Sequence, residues 1–197
     1  MLQLAHTAEA QRLLTESAQT DAELLQQVAS GDEQAAQQLV RNHANPLYGL
    51  ARRLLDGWEA EAEDVVQDAF LRLWKQARSW RPEARIHTWL HRVTYNLCMD
   101  RLRKKSGVSL DSIAEPEDPR QDLHQYHQRQ QKAARIEAAL AALPRRQCAA
   151  ITLVHHQGFT QQEAAEIMEI GVKALESLLS RGRKQLRSLL ADLDRGA

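Results

Sequence analysis

Apolar residues recur along this chain at intervals of three and four with few breaks, a spacing that predicts helices almost throughout. Leu24, Leu25 and Val28 mark a first helix, opened by a Thr20–Glu23 capping box and stopped at Ser30-Gly31. Asp32 caps the next, where Ala35, Ala36, Leu39 and Val40 repeat. Asn45-Pro46 interrupts or bends it, and Leu47, Leu50, Ala51, Leu54 and Leu55 continue a helix to Asp56-Gly57. Between Glu61 and Gln76, the residues Val65, Val66, Ala69, Phe70, Leu73 and Trp74 stand at offsets 0, 1, 4, 5, 8 and 9, a stripe for burial. The opposite face carries Glu63, Asp64, Gln67, Asp68, Leu71 and Arg72. Trp80-Arg81-Pro82 marks a loop, after which a helix resumes near Thr88 and runs to about Lys105 with Leu90, Val93 and Leu97 as its seam.

Residues 106–122 hold Gly107, Pro116 and Pro119 among acids and serines, a linker by composition. A polar helix starting near Leu123 gains periodicity at Ile136, Leu140 and Leu143; Pro144 starts another, ended by Gly158. Ala149 to Val154 is the best strand candidate, but it lies inside that longer helical pattern. The expected architecture is all-α: a tail over 1–19, a helical domain over 20–105, a flexible acidic linker over 106–130 and a second small helical domain over 131–197.

The second domain ends in a pattern of its own. Thr160 and Glu163 form a capping box, Ala164, Ile167 and Met168 share one face, and Glu169-Ile170-Gly171 makes a tight turn. Val172, Leu175, Leu179, Gly182 and Leu186 then repeat at helical spacing, completing a helix-turn-helix. On a wheel of about 100° per residue, Lys173, Ser177, Ser180 and Lys184 occupy the other face, flanked by Glu176, Arg181, Arg183 and Arg187. Five basic residues against one acid between 172 and 187 suit a helix packed on one side and laid in a major groove on the other.

Charge sharpens this picture only when read locally, because 26 basic residues balance 26 acidic ones. Residues 85–105 carry six basic groups and one acid, a local +5, whereas 106–130 carry five acids and two bases, a local −3. Such segregation fits a nucleic-acid binder whose acidic parts touch something else. Trp80, Trp89 and Tyr95 lie among Arg85, Arg92, Arg101, Arg103, Lys104 and Lys105. Cations that track phosphates, interleaved with rings that accept unpaired bases, favour single-stranded nucleic acid. Trp89 reads as core rather than as a stacking platform.

Cys98 and Cys148 make no disulfide framework and are expected reduced. No segment approaches membrane-spanning length and no secretory leader is evident, so a cytoplasmic protein without membrane insertion is expected. His87 and His91 stand four apart, His124 and His127 three apart, His155 and His156 adjacent. No cysteine or carboxylate pattern completes a tetrahedral set around them, so no metal or other cofactor is expected. Nothing resembles a catalytic triad, a P-loop or a paired-carboxylate site, and the chain does not read as an enzyme.

The order of pieces, Asp21-Ala-Glu-Leu-Leu, Gly31-Asp32, AEDVVQDAFLRLWK at 62–75, TWLHRVTYNLCMDRLRKK at 88–105, Leu143-Pro144 and the terminal helix-turn-helix, resembles the extracytoplasmic-function sigma factors of the sigma-70 family over about residues 20–190. The resemblance implies a transcription initiation factor that binds the clamp and flap regions of core RNA polymerase, directs it to promoters and assists strand opening. It implies promoter DNA as a partner, both duplex and single-stranded, and an anti-sigma factor as an inhibitor. By position, Glu63, Asp64, Gln67, Asp68 and Leu71 fall where the family meets polymerase. The loop from Ser79 to His87 matches the segment that traps a flipped base, and Asn96, Asp100 and Arg103 lie on the adjoining nucleic-acid helix; with Trp80, Arg85, His87 and Arg92 they are candidates for the minus-ten element. Lys173, Glu176, Ser177, Ser180, Arg181 and Lys184 are candidates for the minus-thirty-five element. The sequence departs from the family at Glu176 and Leu178, where many relatives are basic, at Cys148, often arginine, and at Gly171, usually a capping serine. An alternative is a stand-alone helix-turn-helix regulator with an N-terminal sensor or dimerisation domain, which would have no need of the basic, aromatic strip.

Overall fold

A computed structural model describes residues 21–56, 58–81, 85–106 and 126–194, with side chains at 106, 126–133 and 192–194 left out. The Thr20 half of the first capping box and most of the acidic linker lie outside the described residues. Among these residues every regular element is helical. The first half holds α1 (residues 21–29), α2 (Glu33–Leu54), α3 (Glu59–Gln76), a single 3₁₀ turn (Ala77–Ser79) and α4 (Ile86–Ser106). The second holds α5 (Tyr126–Ala141), α6 (Arg145–Ile151), a π-helical turn (Thr152–His156), α7 (Gln161–Ile167) and α8 (Val172–Asp194).

Local chemistry accounts for most boundaries. Gly31, at φ 96°, ends α1 in the left-handed region that costs glycine little. The Asp32 carboxylate then accepts from the amides of Gln34 (2.8 Å) and Ala35 (3.2 Å), starting α2. The helix runs unbroken through Pro46, whereas the sequence pattern allowed an interruption there. Its apolar stripe continues on both sides, with Leu39, Leu47, Leu50 and Leu54 fully buried, and that burial outweighs the one amide that proline withholds. Ala149–Val154 is helical, as its surroundings required, and α6 widens into the π turn before Gly158, at φ 73°, turns the chain. α5 begins at Tyr126, so the end of the span expected as linker is helix.

In the first half, Leu39, Leu47, Leu50 and Leu54 of α2 meet Val65, Ala69 and Leu73 of α3 and Leu90, Leu97 and Cys98 of α4. In the second, Leu140, Leu143, Cys148, Ile151 and Leu153 meet Ala164, Ile167, Met168, Leu175 and Leu179. The two halves pack directly on one another, an arrangement that periodicity could not anticipate, and their buried residues form one continuous core. Arg53 grips Glu137 through Nε and Nη2 (3.1 and 2.6 Å), Arg145 pairs with Asp56, and the Gln157 amide donates to the Pro46 carbonyl at 2.7 Å.

Gly182 sits where α8 crosses α6 closely. A Cβ there would lie 2.7 Å from Ile151 Cδ1 and 3.4 Å from Gln147 Cβ, so α6 and α8 approach as closely as they do because position 182 has no side chain. Gly182→Leu gains helix propensity but overpacks a buried contact, and the second effect is larger: a net loss of about 1–2 kcal/mol is expected. Urea denaturation of the two proteins measures it directly.

Candidate functional site

The helix-turn-helix is built as its sequence pattern predicts. The Glu163 amide donates to Thr160 Oγ1 (3.2 Å) and the Thr160 amide donates to Glu163 Oε2 (3.0 Å), a closed capping box. Glu169, at φ 53°, and Ile170, whose amide reaches back to the Ala165 carbonyl at 3.0 Å, make the turn. Leu175, Leu178 and Leu179 bury the inner side of α8. Lys173, Glu176, Ser177, Ser180, Arg181 and Lys184 are all exposed on the other side. Ser177 Oγ donates to the Lys173 carbonyl (3.0 Å) and Arg181 Nε to the Ser177 carbonyl (3.2 Å), which holds both side chains along the helix. The departure at Leu178 is therefore a core residue and leaves the charged face unaltered, whereas Glu176 lies on that face, where a carboxylate can accept from a cytosine amino group.

On α3, Glu63, Asp64, Gln67 and Leu71 face solvent as expected. Asp68 does not stand free beside them: Arg101 of α4 donates to it at 3.0 Å and to Glu61 at 3.1 Å, tying α3 to α4. Asp68 keeps about half its side chain exposed while pairing, since the stripe of α4 brings Arg101 alongside. Sequence reasoning missed a groove between α2 and α3. Val40, Ala44, Tyr48, Val66, Phe70 and Trp74 floor a trough of about 530 Å³ rimmed by Glu63, Gln67 and Leu71. Val40 and Leu71 are 38% and 47% exposed, unusual for large apolar residues at one place. Its signal is a second apolar edge, 40-44-48 on α2 and 66-70-74 on α3, displaced from each core stripe by one position.

The strip along α4 departs most from expectation. Arg92 and Arg103 are exposed, and Arg103 pairs with Asp100 on the same helix. Trp80 and Trp89 meet edge to face at 5.6 Å, both half-buried, and Trp80 lines a cavity together with Leu25 and Ala29 of α1. Lys105 lies over the ring of Trp58. The other candidates face the second half of the chain. Arg85 Nη1 lies 3.4 Å from Glu163 Oε1, and Asn96 Nδ2 donates to Glu169 Oε1 at 3.5 Å. The His87 ring stacks on Phe159 at 4.7 Å and 18°, with His91 edge-on to the same ring at 4.7 Å. These three side chains, expected to meet DNA, are engaged here by residues 159–169, although Arg85 stays about half exposed. Phe159, Glu163 and Glu169 had no place in the sequence reading of this strip. The one signal for Phe159 is a lone ring after the turn glycine.

Burial sets the histidine chemistry. It lowers the His87 pKa to about 4, with His43 nearby acting in the same direction, and lowers that of His91 to about 3. His91 Nδ1 donates to the His87 carbonyl at 2.8 Å, so the neutral ring leaves Nε2 as a buried acceptor without a partner. His43 is held to Asp21 at 2.8 Å. Among the described residues no group of three or more His, Cys, Asp and Glu is placed to hold a metal. His155 and His156 are exposed, and His124 and the side chain of His127 lie outside the described residues. Cys98 and Cys148 are free and buried, their thiols pushed up to about 12 and about 11, so neither is a ready nucleophile. No helix among the described residues is long and apolar enough to cross a membrane.

Known proteins agree with this layout. Residues 39–108 match Sigma-70 region 2 and residues 133–186 match Sigma-70, region 4. The ECF RNA polymerase sigma factor SigM of Mycobacterium tuberculosis is 34% identical over 180 residues, covering 90% of this chain and 88% of that protein. SigW of Bacillus subtilis, also an ECF RNA polymerase sigma factor, is 31% identical over 188 residues, 86% of this chain and 96% of its own length. Among solved structures, CnrH in complex with the cytosolic domain of CnrY superposes with a TM-score of 0.65 at 28% identity, covering 88% of this chain and 98% of that one. The sigma factor RpoE bound to the anti-sigma factor NepR from Bartonella quintana superposes with a TM-score of 0.60 at 25% identity, covering 79% and 96%. With a region 2 match in its first half, a region 4 match in its second and both curated relatives aligned over most of their length, the chain belongs to the extracytoplasmic-function group of sigma-70 family RNA polymerase sigma factors.

Proposed function

We propose that this chain is a transcription initiation factor that docks on core RNA polymerase through α3, reads duplex promoter DNA through α8 and holds unpaired promoter strand along α4. The carrying observation is the coexistence, on one chain with both sigma-70 matches, of an acid-rimmed apolar face and a cationic helix-turn-helix. Glu63, Asp64 and Gln67 supply an acidic edge that repels DNA and attracts a basic protein surface, while Leu71 and the groove beside it accept apolar side chains. Lys173, Ser177, Ser180, Arg181 and Lys184 supply phosphate and base-edge donors, and Glu176 the one acceptor. Trp80, Arg85, His87, Arg92, Asn96, Asp100 and Arg103 form the minus-ten set. Extruding a base costs a few kcal/mol of unstacking, which ring contacts and hydrogen bonds in such a strip can offset, so opening needs binding energy alone. The first domain spans 20–105, the second 131–197, and the factor itself carries no reacting group. An anti-sigma protein is the expected inhibitor, by analogy with the CnrY and NepR complexes. The stand-alone regulator reading is not favoured, because the region 2 match occupies the place of its sensor domain.

Run-off transcription with core polymerase on genomic DNA tests the whole reading; a factor that never yields a transcript or an open complex refutes it. Asp64→Lys places a cation on the exposed acidic edge without touching the Asp68–Arg101 pair. Co-purification with core polymerase is expected to fall at least about tenfold while the melting temperature stays put. Lys173→Ala combined with Ser177→Ala removes two donors from the reading face. Duplex promoter affinity is expected to drop about tenfold or more in a filter-binding titration, with open-complex stability on a pre-melted template unchanged.

A further inference from the structure

Three of the side chains assigned to the unpaired strand already have partners in this molecule, and those partners share the chemistry of a nucleic acid. A flat ring, Phe159, lies parallel on His87 where a base would stack. A carboxylate, Glu163, lies at Arg85, and a second, Glu169, accepts from Asn96. Ring and anions sit on one continuous elbow, from the turn before α7 to the turn after it.

We infer that the α6–α7 elbow is an intramolecular mimic of single-stranded promoter DNA, which occupies the α4 strip in the free factor and must leave before the strip can take a strand. The inference rests on the reading of α4 given above and adds its occupant. The contacts are of the exchangeable kind. Arg85 and Glu163 are 48% and 28% exposed and 3.4 Å apart, so water and salt screen them and a phosphate can replace the carboxylate. A cavity of about 490 Å³, lined by Asn42, Thr88 and Gly158 among others, opens beside the stack and lets solvent reach it. Glu163 also caps α7, so the same carboxylate that copies a phosphate fixes the elbow that presents it.

Burial of the stack also favours uncharged rings. His87 is faced by His43 of α2, Asp21 of α1, Arg85 and His91 of its own segment and Glu163 of α7; His91 is faced by His87, His43 and Gln157. Burial dominates over all of them. In the closed form both histidines titrate near 4 and 3 rather than near their ordinary 6.5. The part of that burial that closure supplies favours the closed form fully above about pH 6.5, and this contribution is lost as the pH falls towards those lower values. Acidification below about pH 6.5 is therefore expected to raise the open-to-closed ratio.

The test uses the full chain labelled at Gln37→Cys and Ser188→Cys, exposed positions on the two halves; the buried native thiols stay unlabelled. Distances between the labels are measured with and without a random-sequence pool of short single-stranded DNA. Glu163→Gln with Glu169→Gln keeps a side chain able to complete the capping box but removes both anionic charges. Expected results are DNA binding about tenfold tighter for the double variant than for wild type, longer label distances on DNA addition, and longer distances on acidification without DNA. Equal affinity of the two proteins, or saturation with DNA at an unchanged distance, overturns the mimicry while leaving the α4 reading standing. If neither protein binds the pool and the holoenzyme forms no open complex, the α4 reading falls and the mimicry with it.

Discussion

Leu175, Leu179 and Gly182 hold α8 against α6, and that contact fixes which side of α8 is left exposed. An α-helix can give one stripe to a core, and here the stripe is anchored where two helices approach without an intervening side chain. The cationic face follows by rotation: residues 173, 177, 180 and 184 point away because 175, 179 and 182 point in. The same logic governs α3, whose burial of Val65, Ala69 and Leu73 turns Glu63, Asp64 and Gln67 outward. Function in this fold is the surface that packing leaves over.

What remains after each stripe is buried is not uniformly polar. Val66, Phe70 and Trp74 of α3 and Val40, Ala44 and Tyr48 of α2 form a second, shallower apolar edge beside the acidic one. An acidic rim steers a basic partner while an apolar floor supplies area to hold it, a division of labour usual at protein interfaces. The Arg101 bridge to Asp68 and Glu61 stiffens the α3–α4 pair beneath that edge, although its exposure makes it a modest contributor to stability.

The halves meet through a mixed interface: an aromatic and histidine stack at the centre, with ion pairs and hydrogen bonds around it. The buried Phe159 ring packs on His87 and His91 of α4, and His91 is fully buried beside it. The factor without polymerase is thus a closed body rather than two beads on a tether. Its closure engages the groups proposed here for the unpaired promoter strand.

Much of this was legible in the sequence. The helical period, the Asp32 and Thr160 caps, the turn at Glu169-Ile170-Gly171 and the inward set of α8 are consequences of neighbours three or four positions apart, and such short-range rules leave a direct trace in residue order. The exposed acids of α3 and the cations of α8 followed from the same wheels. Tertiary structure alone decided the rest. That α2 runs through Pro46, that Asp68 is claimed by Arg101, and that the α2–α3 edges close into a groove all depend on residues far apart in the chain. So does the fate of Arg85, His87 and Asn96, whose sequence neighbourhood reads as open and basic but whose partners lie more than seventy positions away. Periodicity tells which face of a helix must be covered; only packing decides what covers it.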